Sequence, residues 1–148
     1  MNPKHKKFIA VAEAIAQLSK DRSTKVGAIA IGPSGDVRAV GYNGFPRGCD
    51  DNVEARHLRP EKYFWTEHAE RNLIFNAARN GVSLEGCTLI VSGLHPCMDC
   101  ARAVVQAGFA AIIAPPADLD PRWAEHGRRA RELFTECGVT VHEQVEPS

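Results

Sequence analysis

Residues 87–115, CTLIVSGLHPCMDCARAVVQAGFAAIIAP, constrain the fold more than any other stretch. The runs TLIV and AAIIA are short, apolar and bounded by Gly or Pro, the pattern of buried strands. Between them lies a segment of helical character, which Pro96 introduces and Gly108 ends. Strand, helix and strand in that order pair the strands in parallel and lay the helix on the sheet.

The rest of the chain extends this unit. MNPKHKKFIAVAEAIAQLSKD places Phe8, Ala12, Ile15 and Leu18 at helical spacing. Glu13 and Gln17 interrupt its apolar run, so it reads as an amphipathic first helix rather than a signal peptide, and the expected setting is cytoplasmic. KVGAIAIG and VRAVGYNG form a hairpin about the turn Pro33-Ser34-Gly35-Asp36. Residues 45–65 have no sustained period and read as a long loop with a short helix. A helix follows over TEHAERNLIFNAARNG, with Thr66 as its cap and Gly81 as its stop. Another starts with Asp120 as cap and Pro121 in the first turn, turning Trp123, Ala130, Leu133, Phe134 and Cys137 inward. VTVHEQV is the last strand. The order αββαβαβαβ predicts one α/β domain over residues 1–148, a three-layer α/β/α sandwich on a mixed sheet of about five strands.

Composition excludes some functions. Lys+Arg and Asp+Glu both number 18, so no net field attracts a polynucleotide or an anionic membrane. No apolar run approaches the roughly 20 residues that span a bilayer. The five cysteines are odd in number and irregularly spaced, unlike a disulfide framework. Cys87 and Cys137 read as buried small hydrophobes, and Cys49, near Asp50, Asp51 and His57, as a loop thiol with a second metal site as the less favoured reading.

Cys97 and Cys100 share one face of a first helical turn, where the helix N-terminus favours thiolates. A C-x-x-C alone is compatible with a redox pair or a structural knuckle, but there is no second C-x-x-C. His68, also at a helix start, is the best third ligand, and Glu70 stands two residues on. His68-Ala69-Glu70 followed by Pro96-Cys97-Met98-Asp99-Cys100 matches the general H-x-E … P-C-x-x-C signature of zinc nucleobase deaminases. In that chemistry one histidine and two thiolates hold Zn²⁺ and leave a position for water, whose pKa the metal depresses. Glu70, which is not a ligand, takes the water's proton and passes it to a ring nitrogen and then to the departing amine.

The motifs SKDRSTKVGAIAI, GYNGFPRGCDD, HAERN and PCMDCARAVVQAGF follow in order from about residue 19 to residue 113. Together they resemble the deoxycytidylate (dCMP) deaminases of the cytidine deaminase superfamily. The resemblance implies a cytidine deaminase-like fold and conversion of dCMP to dUMP with release of ammonia. His68, Cys97 and Cys100 would hold zinc, Glu70 would shuttle protons, Asn43 would bond the sugar and the Ala69 backbone would meet the base. It also implies a homo-oligomer, and dCTP regulation in several members. As a residue between Tyr42 and Gly44, Asn43 equally suits a plain turn. Lys25, Arg47, Arg56, Arg59, Lys62 and Arg71 are the possible phosphate partners.

Two features depart from the family pattern. Glu67 stands where an apolar residue is usual, and a carboxylate beside the mouth would repel a 5′-phosphate unless Arg71 intervenes. The segment APPADLDPRWAEHGRRAREL is longer and richer in proline than usual. The leading expectation is therefore a zinc-dependent hydrolase acting on a small-molecule pyrimidine nucleotide, with no polynucleotide or membrane partner. The first alternative is deamination of a free base or other amino-substituted heterocycle, with Glu67 as a recognition group. RNA editing and a non-catalytic zinc module with four protein ligands follow behind.

Overall fold

In the computed structural model, which describes residues 2–144, the elements are α1 (Pro3–Ala16), β1 (Gly27–Ile31), β2 (Val37–Tyr42), α2 (Lys62–Trp65), α3 (Ala69–Asn80), β3 (Thr88–Ser92), α4 (Met98–Ala107), β4 (Ala111–Ala114), α5 (Ala124–Glu136) and β5 (Thr140–Glu143). Met1 and Val145, at the ends of the predicted first helix and last strand, lie outside the described residues. The five strands form one mixed sheet in the order β2-β1-β3-β4-β5. β3 and β4 are parallel and joined by α4, so the crossover expected over residues 87–115 is present. β1 is antiparallel to both β2 and β3. The latter two therefore run the same way with β1 between them, and α3 bridges them across it.

Strand alternation divides the core in two. Ala28 and Ala30 of β1, Leu89 and Val91 of β3 and Ile112 of β4 face α3, α4 and α5, meeting Leu73, Val104 and Phe134. Ile29, Ile31, Ile90 and Ile113 face the other way, onto Ala12 and Phe8 of α1. Each fully buried Ile or Leu contributes ~1.5–3 kcal/mol. This is the expected α/β/α sandwich. Gly81 and Gly108 close α3 and α4 in the left-handed region, at φ 67° and 90°, as their positions after each helical run predict.

Several boundaries differ from expectation. Thr66 does not cap α3, because Glu67 pairs with Gly44 through two backbone hydrogen bonds and keeps the chain extended until His68. Asp120 caps a turn instead of α5: its carboxylate accepts from the Arg122 N–H, and the helix begins only at Ala124. Leu18 lies beyond the end of α1 and is exposed. Cys87 is buried as expected, but Cys137 stands exposed at the C-cap of α5. The long loop holds a 3-10 turn at Glu54–His57 as well as the short α2.

Candidate metal centre and its cavity

The C-terminal ends of β2 and β3 point the same way, and the helices that follow them, α3 and α4, start at that edge of the sheet. His68 is the N-cap of α3 and Cys97 the N-cap of α4, both with extended backbone. The Gly44–Glu67 bridge and the Asn72 side chain, which donates to the Tyr42 carbonyl at 2.8 Å, fix the approach to His68. His95 does the same for Cys97: it is buried, and its Nδ1–H donates to the Pro115 carbonyl at 3.1 Å. That bond ties the loop before α4 to the end of β4.

These constraints bring His68 Nδ1 to 3.4 Å from Cys97 Sγ and 3.3 Å from Cys100 Sγ. All three ligand atoms lie within 4.8 Å of one another. With Zn–S of about 2.3 Å and Zn–N of about 2.05 Å, a tetrahedral ion places nitrogen and sulfur about 3.6 Å apart. The donor set and its spacing fit Zn²⁺. Among the described residues no fourth His, Cys, Asp or Glu joins the group, and none gathers around Cys49.

Glu70, on the first turn of α3, is 4% exposed. Burial pushes its carboxyl up to about 6, with the His68 imidazole opposing the shift. The contact with Cys100 is the first cause that holds the Cys97 thiol down to about 4, and the imidazole of His68 adds to it. Cys100 moves the opposite way, first because of Cys97.

A cavity open at its mouth begins at this group. Asn43, His68, Ala69, Glu70 and Cys97 line its inner end. Asn43 is buried, with Oδ1 accepting from the Val26 N–H and Nδ2 donating to the Thr24 carbonyl, both at 2.9 Å. A carboxamide has two N–H donors, so one remains. The remaining expected contacts, Lys25, Glu67 and Arg71, do not line the cavity. Lys25 is exposed. Glu67 and Arg71 bond each other at 2.8 Å along the flank of α3, one helical turn apart.

Arg59 and Lys62 reach the cavity wall from the long loop and α2. Asp21 also lines the cavity, as do Arg122 and Trp123 from the proline-rich segment that departs from the family pattern. The Trp123 ring meets those of Tyr63 and His68 edge-on, with centroids 5.9 and 6.1 Å away. Helical spacing alone predicts Trp123 in the core, but it precedes α5 and lines the cavity instead. The one local signal for a different role is its place beside Arg122, directly after the proline-rich segment.

Residues 2–115 match the family described as the cytidine and deoxycytidylate deaminase zinc-binding region. The chain belongs to this deaminase family. Human deoxycytidylate deaminase is 36% identical over 143 residues, covering 93% of this chain and 78% of that protein. An uncharacterized deaminase in the luxG 3′ region of Aliivibrio fischeri is 37% identical over 138 residues, covering 92% and 90%. The crystal structure of the dCMP deaminase from cyanophage S-TIM5 in complex with dCMP and dUMP superposes with a TM-score of 0.77 at 27% identity, covering 97% of this chain and 99% of that one. The deaminase family match ends before Arg122 and Trp123, so both belong to the part of the cavity that it does not describe.

Proposed function

We propose that this deaminase hydrolyses dCMP to dUMP and ammonia. The observation that carries the reading is one cavity lined by members of a three-ligand metal group, by the buried carboxyl of Glu70, and by Arg59 and Arg122. His68 Nδ1 and the sulfurs of Cys97 and Cys100 would hold Zn²⁺, which would supply Lewis acidity that lowers the pKa of water to near neutrality. Glu70 would accept one proton of the attacking water and deliver it to N3, then carry the second, from the new C4 hydroxyl, to the leaving amine. A new C4–O bond forms, the C4–N bond breaks, and the amine leaves as ammonia. A carboxyl raised to about 6 is suited to both accepting and donating near neutral pH. The backbone N–H of Ala69, at the open start of α3, would meet the base, and the remaining N–H of Asn43 would bond the sugar.

Arg59 and Arg122 would hold the 5′-phosphate, Arg122 exchanging its exposed pair with Asp120, at 2.7 Å, for the ligand. Lys62 is already paired with Asp21 at 3.2 Å. The free-base alternative drew on Glu67 as a recognition group, and Glu67 is turned to Arg71 outside the cavity. Self-association and a cytoplasmic setting complete the reading, testable by light scattering and by fractionation. No helix of the described residues is long and apolar enough to cross a membrane.

Ammonia release from dCMP, deoxycytidine and cytosine by zinc-loaded protein tests the proposal. Turnover of dCMP well above the other two is expected, and none on dCMP refutes it. Glu70→Gln should keep its zinc and lose at least ~100-fold in kcat.

A further inference from the structure

α2 is four residues long and none of them is buried, yet it brings Lys62 and Tyr63 into the cavity wall. A helix this short has no stability of its own. Without core packing, polar contacts must hold it. The innermost is the ion pair between Lys62 Nζ and Asp21 Oδ2 at 3.2 Å, whose side chains are 12% and 10% exposed. No other ion pair among the described residues is so enclosed on both sides.

Asp21 is anchored in turn. Its Oδ1 accepts from the backbone N–H groups of Ser23 and Thr24 at 2.9 and 3.1 Å. The Thr24 carbonyl takes an N–H from Asn43, directly after β2. A continuous polar chain thus runs from the end of the sheet through Asp21 to α2. On the far side, Arg59 donates to the Tyr63 hydroxyl at 2.7 Å and to Ser23 Oγ at 3.0 Å, and the Tyr63 ring abuts Trp123. Asp21 and Lys62 also line a second, neighbouring cavity, so the pair lies in the partition between the two.

We propose that Asp21 is a positioning residue, and that its enclosed pair with Lys62 is the strut that sets α2 so that Tyr63 and Arg59 close the catalytic cavity against Trp123. The kinetic consequence rests on the dCMP reading; the structural consequence does not.

The test uses the zinc-loaded full chain and three variants. Asp21→Asn keeps an oxygen for the Ser23 and Thr24 N–H groups and removes the charge. Lys62→Met removes the other charge, and the double variant removes both. Amide hydrogen exchange over residues 58–66 is expected to rise at least about tenfold in each single variant, with zinc content unchanged. KM for dCMP should rise roughly tenfold while kcat changes less than about threefold. Because the partners act as a unit, the double variant should be no worse than the worse single. Unchanged exchange over 58–66 in either soluble single variant, or effects that simply add, overturns the strut. If the wild type does not turn over dCMP, exchange still decides the strut, and only the substrate reading fails.

Discussion

Gly41 of β2 lies against the first turn of α3, where a Cβ would sit 2.5 Å from the Ala69 carbonyl oxygen and 2.5 Å from the Leu73 nitrogen. Only a missing side chain lets the helix descend this far. Ala69 is flanked by His68 and Glu70, so the same approach sets the height of a metal ligand and of the buried carboxyl. Gly41→Ala should cost about 1–3 kcal/mol through overpacking and lower the zinc content by tilting α3. Thermal denaturation and elemental analysis check this. Full zinc loading at an unchanged melting temperature would contradict it.

Cys100 contributes a sulfur from within α4, 3.3 Å from His68 Nδ1. Losing a group that merely supports a ligand costs about 10–100-fold in metal affinity, so losing the ligand itself should cost more. Cys100→Ser is therefore expected to bind zinc at least 100-fold more weakly in a competition with a chromogenic chelator. Affinity within a few-fold of wild type would remove Cys100 from the set.

Arg122 reaches the cavity from beyond the family-matched region. A charge-assisted hydrogen bond contributes ~1.5–3 kcal/mol, so Arg122→Ala should raise KM for dCMP roughly 10–100-fold. Deoxycytidine, which has no phosphate, should be turned over with unchanged kcat/KM. Parallel steady-state kinetics on the two compounds separate the outcomes, and equal losses on both would show that Arg122 acts on the wall rather than on the phosphate.

Burial of Asp21 works against its ionisation, but the N–H groups of Thr24 and Ser23 and the ammonium of Lys62 outweigh it and hold its carboxyl below the ordinary 3.8. The unfolded chain takes up a proton near that value while the folded one resists. The stabilisation is therefore complete above 3.8 and lost as pH falls through the lower folded value. Urea unfolding between about pH 5 and pH 2 should lose stability less steeply in Asp21→Asn than in wild type. Identical slopes would show that the pair adds nothing to acid stability.

Much of the architecture is legible because it rests on local rules. TLIV and AAIIA can only be strands between their glycines and prolines, and Gly81 and Gly108 stop their helices wherever the chain lies. The boundaries that moved were decided by partners far along the chain. Thr66 would cap a helix in isolation, but Gly44 captures Glu67 first. The Glu67–Arg71 pair is, by contrast, a local i, i+4 relationship that the spacing itself offered. Trp123 has the spacing of a core residue and instead forms cavity wall, because α5 starts only after it.

The chemistry of the metal group was determined by the sequence alone, since a histidine and two cysteines at helix starts carry their donor atoms and local orientation with them. Which groups surround that metal was decided by tertiary structure. Asp21, Arg59, Tyr63, Arg122 and Trp123 come from segments with no common period or motif, and they meet only because the sheet order brings the connections before β1, after β2 and after β4 to one edge. A contact across space depends on where the whole backbone goes, and no short-range pattern encodes that.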